Sequence, residues 1–329
     1  MNDRIAGYDF IRSIAILIVF LGHILEKQAA NDAVLLAVRS LSPGLTMSLL
    51  GFVSAALLSL KEVDPGTFLV RRFTRIYIPL GMCLLAVLCA HALLGKKILT
   101  LHVLLHVMGL SAFFNLFLVE NKATIGAGLW FITVIVILYL LLPLLQTLFR
   151  HPRGLAHLLA LVLACTVLHF LIGVESTWNV VISFSVGVYF GVNGKINQLI
   201  NVGTSRAFLG CFVLIGVTAL ATVGVFPYGI RSLLYALYPL AFIPFLFAIV
   251  KWLPNPIVTA SSFFAALSYE FYILHFYFIN QGFQDFFPIQ VGLITQIVIS
   301  FAMTFLLAYA ISRAAARVRT VADRYLLAS

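Results

Sequence analysis

Residues 8–26, from Tyr8 to Glu26, read YDFIRSIAILIVFLGHILE, an apolar run interrupted by Arg12 and His23. As a helix the run is long enough to cross hydrocarbon at about 1.5 Å rise per residue. An arginine at that depth costs several kcal/mol unless it is paired or hydrated, so it faces a polar cavity or a partner. Arg12 and His23 are separated by eleven residues. At about 100° per residue this overshoots three turns by about 20°, so the two share a face about 16 Å apart along the axis. Asp9 lies one turn before Arg12, within pairing reach. Two readings stand side by side: an Asp–Arg pair that fixes helix packing with a histidine at the interface, or polar groups that serve chemistry inside the membrane.

The rest of the chain has the same character. It has 329 residues, 62% hydrophobic and 10% charged, with a mean hydropathy of +1.09; a soluble domain has about 25% charged residues. The composition predicts an integral membrane protein. The net charge of +10 resides in short loops and near the C-terminus, a distribution that membrane topology explains and nucleic-acid binding does not. Cys83, Cys89, Cys165 and Cys211 all fall in apolar runs without CxxC spacing, as expected of small buried hydrophobes. Arg12 breaks the apolar core that a cleaved leader requires, so the first segment is expected to stay as a span.

Eleven apolar stretches can be marked, at about 8–26, 40–60, 76–94, 99–119, 128–149, 155–173, 178–191, 207–225, 230–250, 257–280 and 290–312. The fourth is broken up by His102, His106, Asn115 and a glycine. If it does not cross and the N-terminus is cytoplasmic, 14 of the 21 basic residues lie inside, six outside and Arg12 within the membrane. If it crosses, Arg150, Arg153 and the four C-terminal arginines move outside, against the positive-inside rule. The expected fold is therefore an all-α polytopic bundle of about ten transmembrane helices, both termini cytoplasmic, with 99–119 re-entrant or interfacial. Residues 1–329 are expected to form a single membrane-embedded domain.

Polar residues recur at three further places. RRFTRIYIPL (71–80) gathers Arg71, Arg72 and Arg75 where the third span begins. This is either ordinary positive-inside charge or a fork-shaped clamp for phosphate. LWFITVIVILYLLLPLL (129–145) opens on Trp130 and carries Tyr139 and Pro143; its tryptophan is expected at the outer interface. LSYEFYILHFYFI (267–279) sets Ser268 and His275 seven residues apart on one face, with Glu270 as a second carboxylate in or near the membrane. His91, His102, His106, His151, His157 and His169 have no comparable setting and are expected at interfaces or surfaces. No HExxH-like set suggests a metal.

In order and spacing these pieces resemble the acyltransferase-3 family of membrane enzymes that O-acylate glycans. Arg12 and His23 match its first-span Arg, ten residues and His, and YDFIR resembles its usual Asp-Gly-Leu-Arg. Arg72 and Arg75 match its cytoplasmic arginine pair; Trp130 to Leu144 match its Trp-led span ending in Pro-Leu. Ser268, Tyr269, Tyr272 and His275 match its late Ser-Tyr-x-x-Tyr-x-x-His. Two departures stand out: Ser13 follows the arginine where glycine is usual, and the fifth span lacks the acid of the common WSLxxE form. The acid-free form resembles members acting on polysaccharides, membrane-linked glycans or rhizobial-type oligosaccharides.

The resemblance implies a multi-pass enzyme of a bacterial cytoplasmic membrane. It would transfer an acyl group, acetyl above all, from acyl-CoA to a hydroxyl of a surface or lipid-linked glycan. No tightly bound cofactor, metal or nucleic-acid partner is expected; acyl-CoA, the glycan and membrane lipids are. His23 would be the base, Arg12 held by Asp9 would place the donor or stabilise negative charge, and Glu270 would join the catalytic set. Arg72 and Arg75 would hold donor phosphates, and Trp130, Ser268, Tyr269, Tyr272 and His275 would line or support the site. A transporter or flippase, its polar residues lining a path, is the alternative from another class.

Overall fold

A computed structural model of the chain describes residues 3–28, 33–60, 64–95, 101–113, 117, 128–172, 175–222, 228–279 and 291–327. Among these residues the only regular structure is helical. The elements are α1 (Asp3–Gln28), α2 (Ala33–Leu58), α3 (Pro65–Leu93), α4 (Leu101–Val107), α5 (Trp130–Arg150), α6 (Gly154–Ile172), α7 (Glu175–Val192), α8 (Ile196–Ile200), α9 (Thr204–Thr222), α10 (Tyr228–Val250), α11 (Asn255–Ile279) and α12 (Leu293–Leu326).

Six of them, α1, α3, α5, α6, α11 and α12, are long and apolar enough to cross a membrane. Four more hold shorter apolar helical stretches: Thr46–Leu58, Thr177–Val192, Thr204–Thr218 and Ala236–Val250. These ten coincide with the ten expected crossings. Their outward surfaces are apolar as well: Leu159 and Leu163 of α6 are 59% and 65% exposed, as lipid contact allows and water does not. The protein is an integral membrane protein built as a polytopic helical bundle.

The chain divides into two compact units, one of Met1–Glu62 with Leu141–Ala266, the other of Val63–Leu140 with Leu267–Ser329. In the first unit α2 packs against α1, α7 and α10, and α9 packs against α10. The α2–α7 contact is close because both faces are small. A Cβ built on Gly187 would stand 2.5 Å from the Phe52 carbonyl oxygen, and one on Gly191 2.6 Å from that of Ala56. Ala55 and Ser59 complete the smooth face on α2. Such spacing of small residues replaces the hydrophobic drive that helices lack inside lipid. Ser183 of α7 adds a hydrogen bond of 3.1 Å to the Ala236 carbonyl of α10.

In the second unit α3 packs against α12 and α4. α3 begins at residue 65, eleven residues before the expected 76, so the arginines of RRFTR lie within a helix and not ahead of one. The reason is local. Asp64 caps the helix by accepting a 2.8 Å hydrogen bond from the Thr67 N–H, and Pro65 takes the first turn, where its missing N–H is harmless. The backbone N–H and hydroxyl of Thr67 hold the Asp64 carboxyl below its usual pKa. A depressed carboxylate stabilises above its unfolded pKa and loses that contribution as pH falls through the folded one. Asp64→Ala is thus expected to lower the thermal midpoint slightly and evenly from about pH 5 to pH 8, the gap closing below about pH 4. Thermal denaturation in detergent across that range checks it.

Among its described residues the weak fourth stretch holds no helix long enough to cross. α4 has seven residues, about 10 Å of helix against about 30 Å of hydrocarbon. The turn after it is held from two sides. Tyr77 of α3 donates to the Met108 carbonyl at 3.1 Å, and Thr133 of α5 donates to the Gly109 carbonyl at 2.6 Å while accepting from the Ala112 N–H at 3.0 Å. Gly109 has φ +72°, a left-handed value that glycine adopts without strain. Tyr77 lies sixteen residues before the end of α3, about 24 Å back along its axis. The turn at Met108 and Gly109 therefore lies beside the middle of α3.

α12 is longer than expected, 34 residues in place of a span ending near 312. Its buried stripe Ser300, Thr304, Ala308, Ile311 and Ala315 runs at three- and four-residue spacing, and the alanine- and arginine-rich segment after it favours helix.

Candidate active site

In the first unit the opening stretch is one uninterrupted helix, so Arg12 and His23 do stand on the same element about 16 Å apart. Asp9 and Arg12 pair at 3.7 Å with side chains 23% and 31% exposed. This is an ion pair without the short distance of a charge-assisted hydrogen bond. His23 is half-buried. Ser13, the residue in place of the usual glycine, is buried and donates to the Ser261 carbonyl at 2.6 Å. It ties α1 to the first part of α11.

The other sequence-predicted groups fall in the second unit. On α3, Arg71 and Arg75 are exposed and Arg72 is half-buried. The Arg72 guanidinium stands 5.5 Å from the Phe68 ring centre and 5.8 Å from that of Tyr139 on α5, two rings that meet edge to face at 6.2 Å. Contact with the two ring faces restrains the fork. Arg72 is thus distinguished from charge that merely marks the inner side of a membrane.

α11 contributes the late motif. Tyr269 donates to the Ile76 carbonyl of α3 at 3.1 Å. Tyr272 donates to the Gly128 carbonyl at 2.6 Å and meets Phe131 edge to face at 6.0 Å. His275 is 1% exposed, with Nδ1 on the Tyr272 carbonyl. Glu270 is 6% exposed, with the Arg319 and Arg75 guanidinium groups within electrostatic reach of its carboxylate. Ser268 is half-buried. The two tyrosines therefore tie α11 to the middle of α3 and to the segment before α5. Trp130, expected at the outer end of its span, is half-buried and is the first residue of α5.

Three histidines expected at interfaces or surfaces are buried. His91 is 0% exposed and sits 5.2 Å, centre to centre, from the Tyr277 ring. His106 Nδ1 and the Ser111 Oγ are 2.8 Å apart, both buried at the Gly109 turn. His169 is buried in α6. A signal for His91 existed: Leu80, Leu84, Val87 and His91 continue one helical stripe. Of the cysteines, Cys83, Cys165 and Cys211 are buried as expected, but Cys89 is exposed, since it faces away from the α3 stripe. Among the described residues no three His, Cys, Asp or Glu are grouped to hold a metal ion.

A family model described as an acyltransferase domain matches residues 5–313. No curated protein and no solved structure matches the chain.

Proposed function

The chain belongs to the acyltransferase-3 family, and on that premise we propose that it transfers an acyl group, acetyl above all, from cytoplasmic acyl-CoA to a hydroxyl of a surface or lipid-linked glycan. Acyltransferase activity comes with the family; the donor, the acceptor and the residue roles are the proposal. The observation that carries it is Arg72, restrained by Phe68 and Tyr139 one turn from Arg75. A pair of forks at the start of a span suits the phosphates of a donor too polar to enter lipid. Both termini face the cytoplasm of a bacterial cell in this reading, which follows the positive-inside distribution.

His23 takes the proton from the acceptor hydroxyl as its oxygen attacks the thioester carbonyl. Arg12, held by Asp9 about 16 Å from His23, positions the donor. Collapse expels the CoA thiolate, which regains a proton from the histidine. The aromatic and hydroxyl groups of α11, with Trp130, shape the neighbourhood of the acyl arm.

Two measurements test the reading. Surface glycans from cells with the gene should be heavier by one acyl group than those from cells without it, by mass spectrometry. Purified protein should consume acetyl-CoA only when a glycan acceptor is present; movement of intact glycan without CoA would overturn the enzyme reading. Replacing Arg72 and Arg75 together with alanine is expected to weaken CoA binding about a hundredfold, as loss of two charge-assisted contacts implies. Glycan binding should change little, and a lysine pair should restore only part, since ammonium keeps charge without the fork.

A further inference from the structure

We propose that the exposed flank of the α12 end, built on Arg313 and Arg317, is a docking surface for the phosphate headgroups of anionic phospholipids. The proposal goes beyond the acyl-transfer reading and does not depend on it.

α12 is longer than a bilayer needs. From Leu293 to Arg313 it rises about 30 Å, the thickness of the hydrocarbon. The residues after Arg313 carry the helix about 20 Å further. One side of that extension is held, since Thr74 of α3 donates to Asp323 at 2.8 Å. Arg317 is turned about 120° away from Asp323. On its flank Tyr309, Arg313, Arg317, Val321 and Tyr325 follow one another at four-residue intervals, and every one is exposed. Leu306, also exposed, lies two turns before Arg313 on the same face. The line that meets lipid tails within the span therefore continues into arginines. Tyr309 marks the boundary, with the Arg313 guanidinium 5.9 Å from its ring centre. Tyrosine and arginine side chains with an apolar body and a polar tip are interfacial anchors.

Charge complementarity selects the occupant. Residues 313–326 include four arginines and one acid, Asp323, which the Thr74 hydroxyl engages. Arg313, Arg317 and Arg324 have no ion-pair partner among the described residues. Guanidinium forks one turn apart, about 6 Å along the axis, suit phosphate oxygens. In the topology proposed above they lie at the cytoplasmic leaflet, whose surface is negative. The apolar neighbours decide between a lipid and a soluble anion. Val318 and Val321, beside Arg317, are exposed. Apolar surface next to basic groups matches the boundary between headgroups and tails, where amphipathic helices settle. A soluble anion would use the arginines and leave those valines in water.

The full chain in detergent is titrated with phosphatidylglycerol and with phosphatidylcholine of the same acyl chains, and the ratio of the two affinities is read. The wild type should prefer phosphatidylglycerol. Arg313→Gln with Arg317→Gln should lower that preference by about fivefold for each arginine removed, the scale of one cation near an anionic surface. CoA binding should be unchanged. A lysine pair should keep most of the preference, because a surface potential acts on charge more than on shape. If the double variant does not fold, each single glutamine variant carries the same test. Arg153→Gln with Arg206→Gln removes equal charge from exposed positions elsewhere and should cost less. An equal loss in that control makes the preference a matter of net charge and overturns the proposal. So does a wild type without preference, an unchanged preference in the glutamine pair, or a lysine pair no better than glutamine. Displacement of the lipid by glycerophosphoglycerol at matched concentration would mark a site for soluble phosphate, and loss of CoA binding together with lipid binding would place both arginines in the donor site; either result overturns the proposal.

Discussion

Replacing His23 with alanine is expected to reduce acyl transfer by roughly 10²–10⁴-fold, the range that a general base supplies, while the protein stays folded and still binds acyl-CoA. Position is the reason. His23 is half-buried five residues before the end of α1, so loss of its imidazole opens no deep cavity. Arg12→Ala should also stop transfer but act on stability as well, because Asp9 loses its ion-pair partner. Removal of one member of a fully buried pair costs about 3–5 kcal/mol. Here the partners are 23% and 31% exposed and 3.7 Å apart, so the expected cost is well below that range. Transfer rate, thermal midpoint and CoA affinity, measured for both variants in detergent, separate the two roles. A His23→Ala protein that retains most of the wild-type rate would leave the proposed mechanism without its base.

Gly187→Leu should have the largest effect on folding. Even a methyl group at Gly187 would meet the Phe52 carbonyl oxygen at 2.5 Å and the Ala55 methyl at 3.0 Å. Neither neighbour can give way, since one is backbone and the other is the shortest of side chains. α2 and α7 must then separate, losing the contact over their whole shared length. Overpacking costs about 1–3 kcal/mol for a few added methylenes, and forced separation of two spans exceeds that. The expected result is a protein that fails to survive detergent extraction as a monodisperse species. Gly210→Leu is the control, because a Cβ there meets nothing within 4 Å. Equal stability of Gly187→Leu and Gly210→Leu would refute the close α2–α7 packing.

Much of this was legible in the sequence because the bilayer imposes simple rules. Spans must be apolar and about twenty residues long, and lysine and arginine gather on one side. Those rules gave the polytopic helical bundle and singled out 99–119, whose described residues hold no helix of span length. The Asp9–Arg12 pair was legible for an equally local reason: three residues on a helix make one turn, whatever surrounds them. The remainder depended on contacts between elements distant in the chain. Hydropathy alone could not show that the turn at Gly109 is fixed beside Tyr77, or that Tyr272 holds the Gly128 carbonyl just ahead of α5; hydrogen bonds from α3, α5 and α11 decide that. Charge counting treats Arg313, Arg317, Arg319 and Arg324 alike. Only the packing of α12 on α3 distinguishes Arg319 from the others, because a guanidinium half-withdrawn from water must be matched by the groups it meets there.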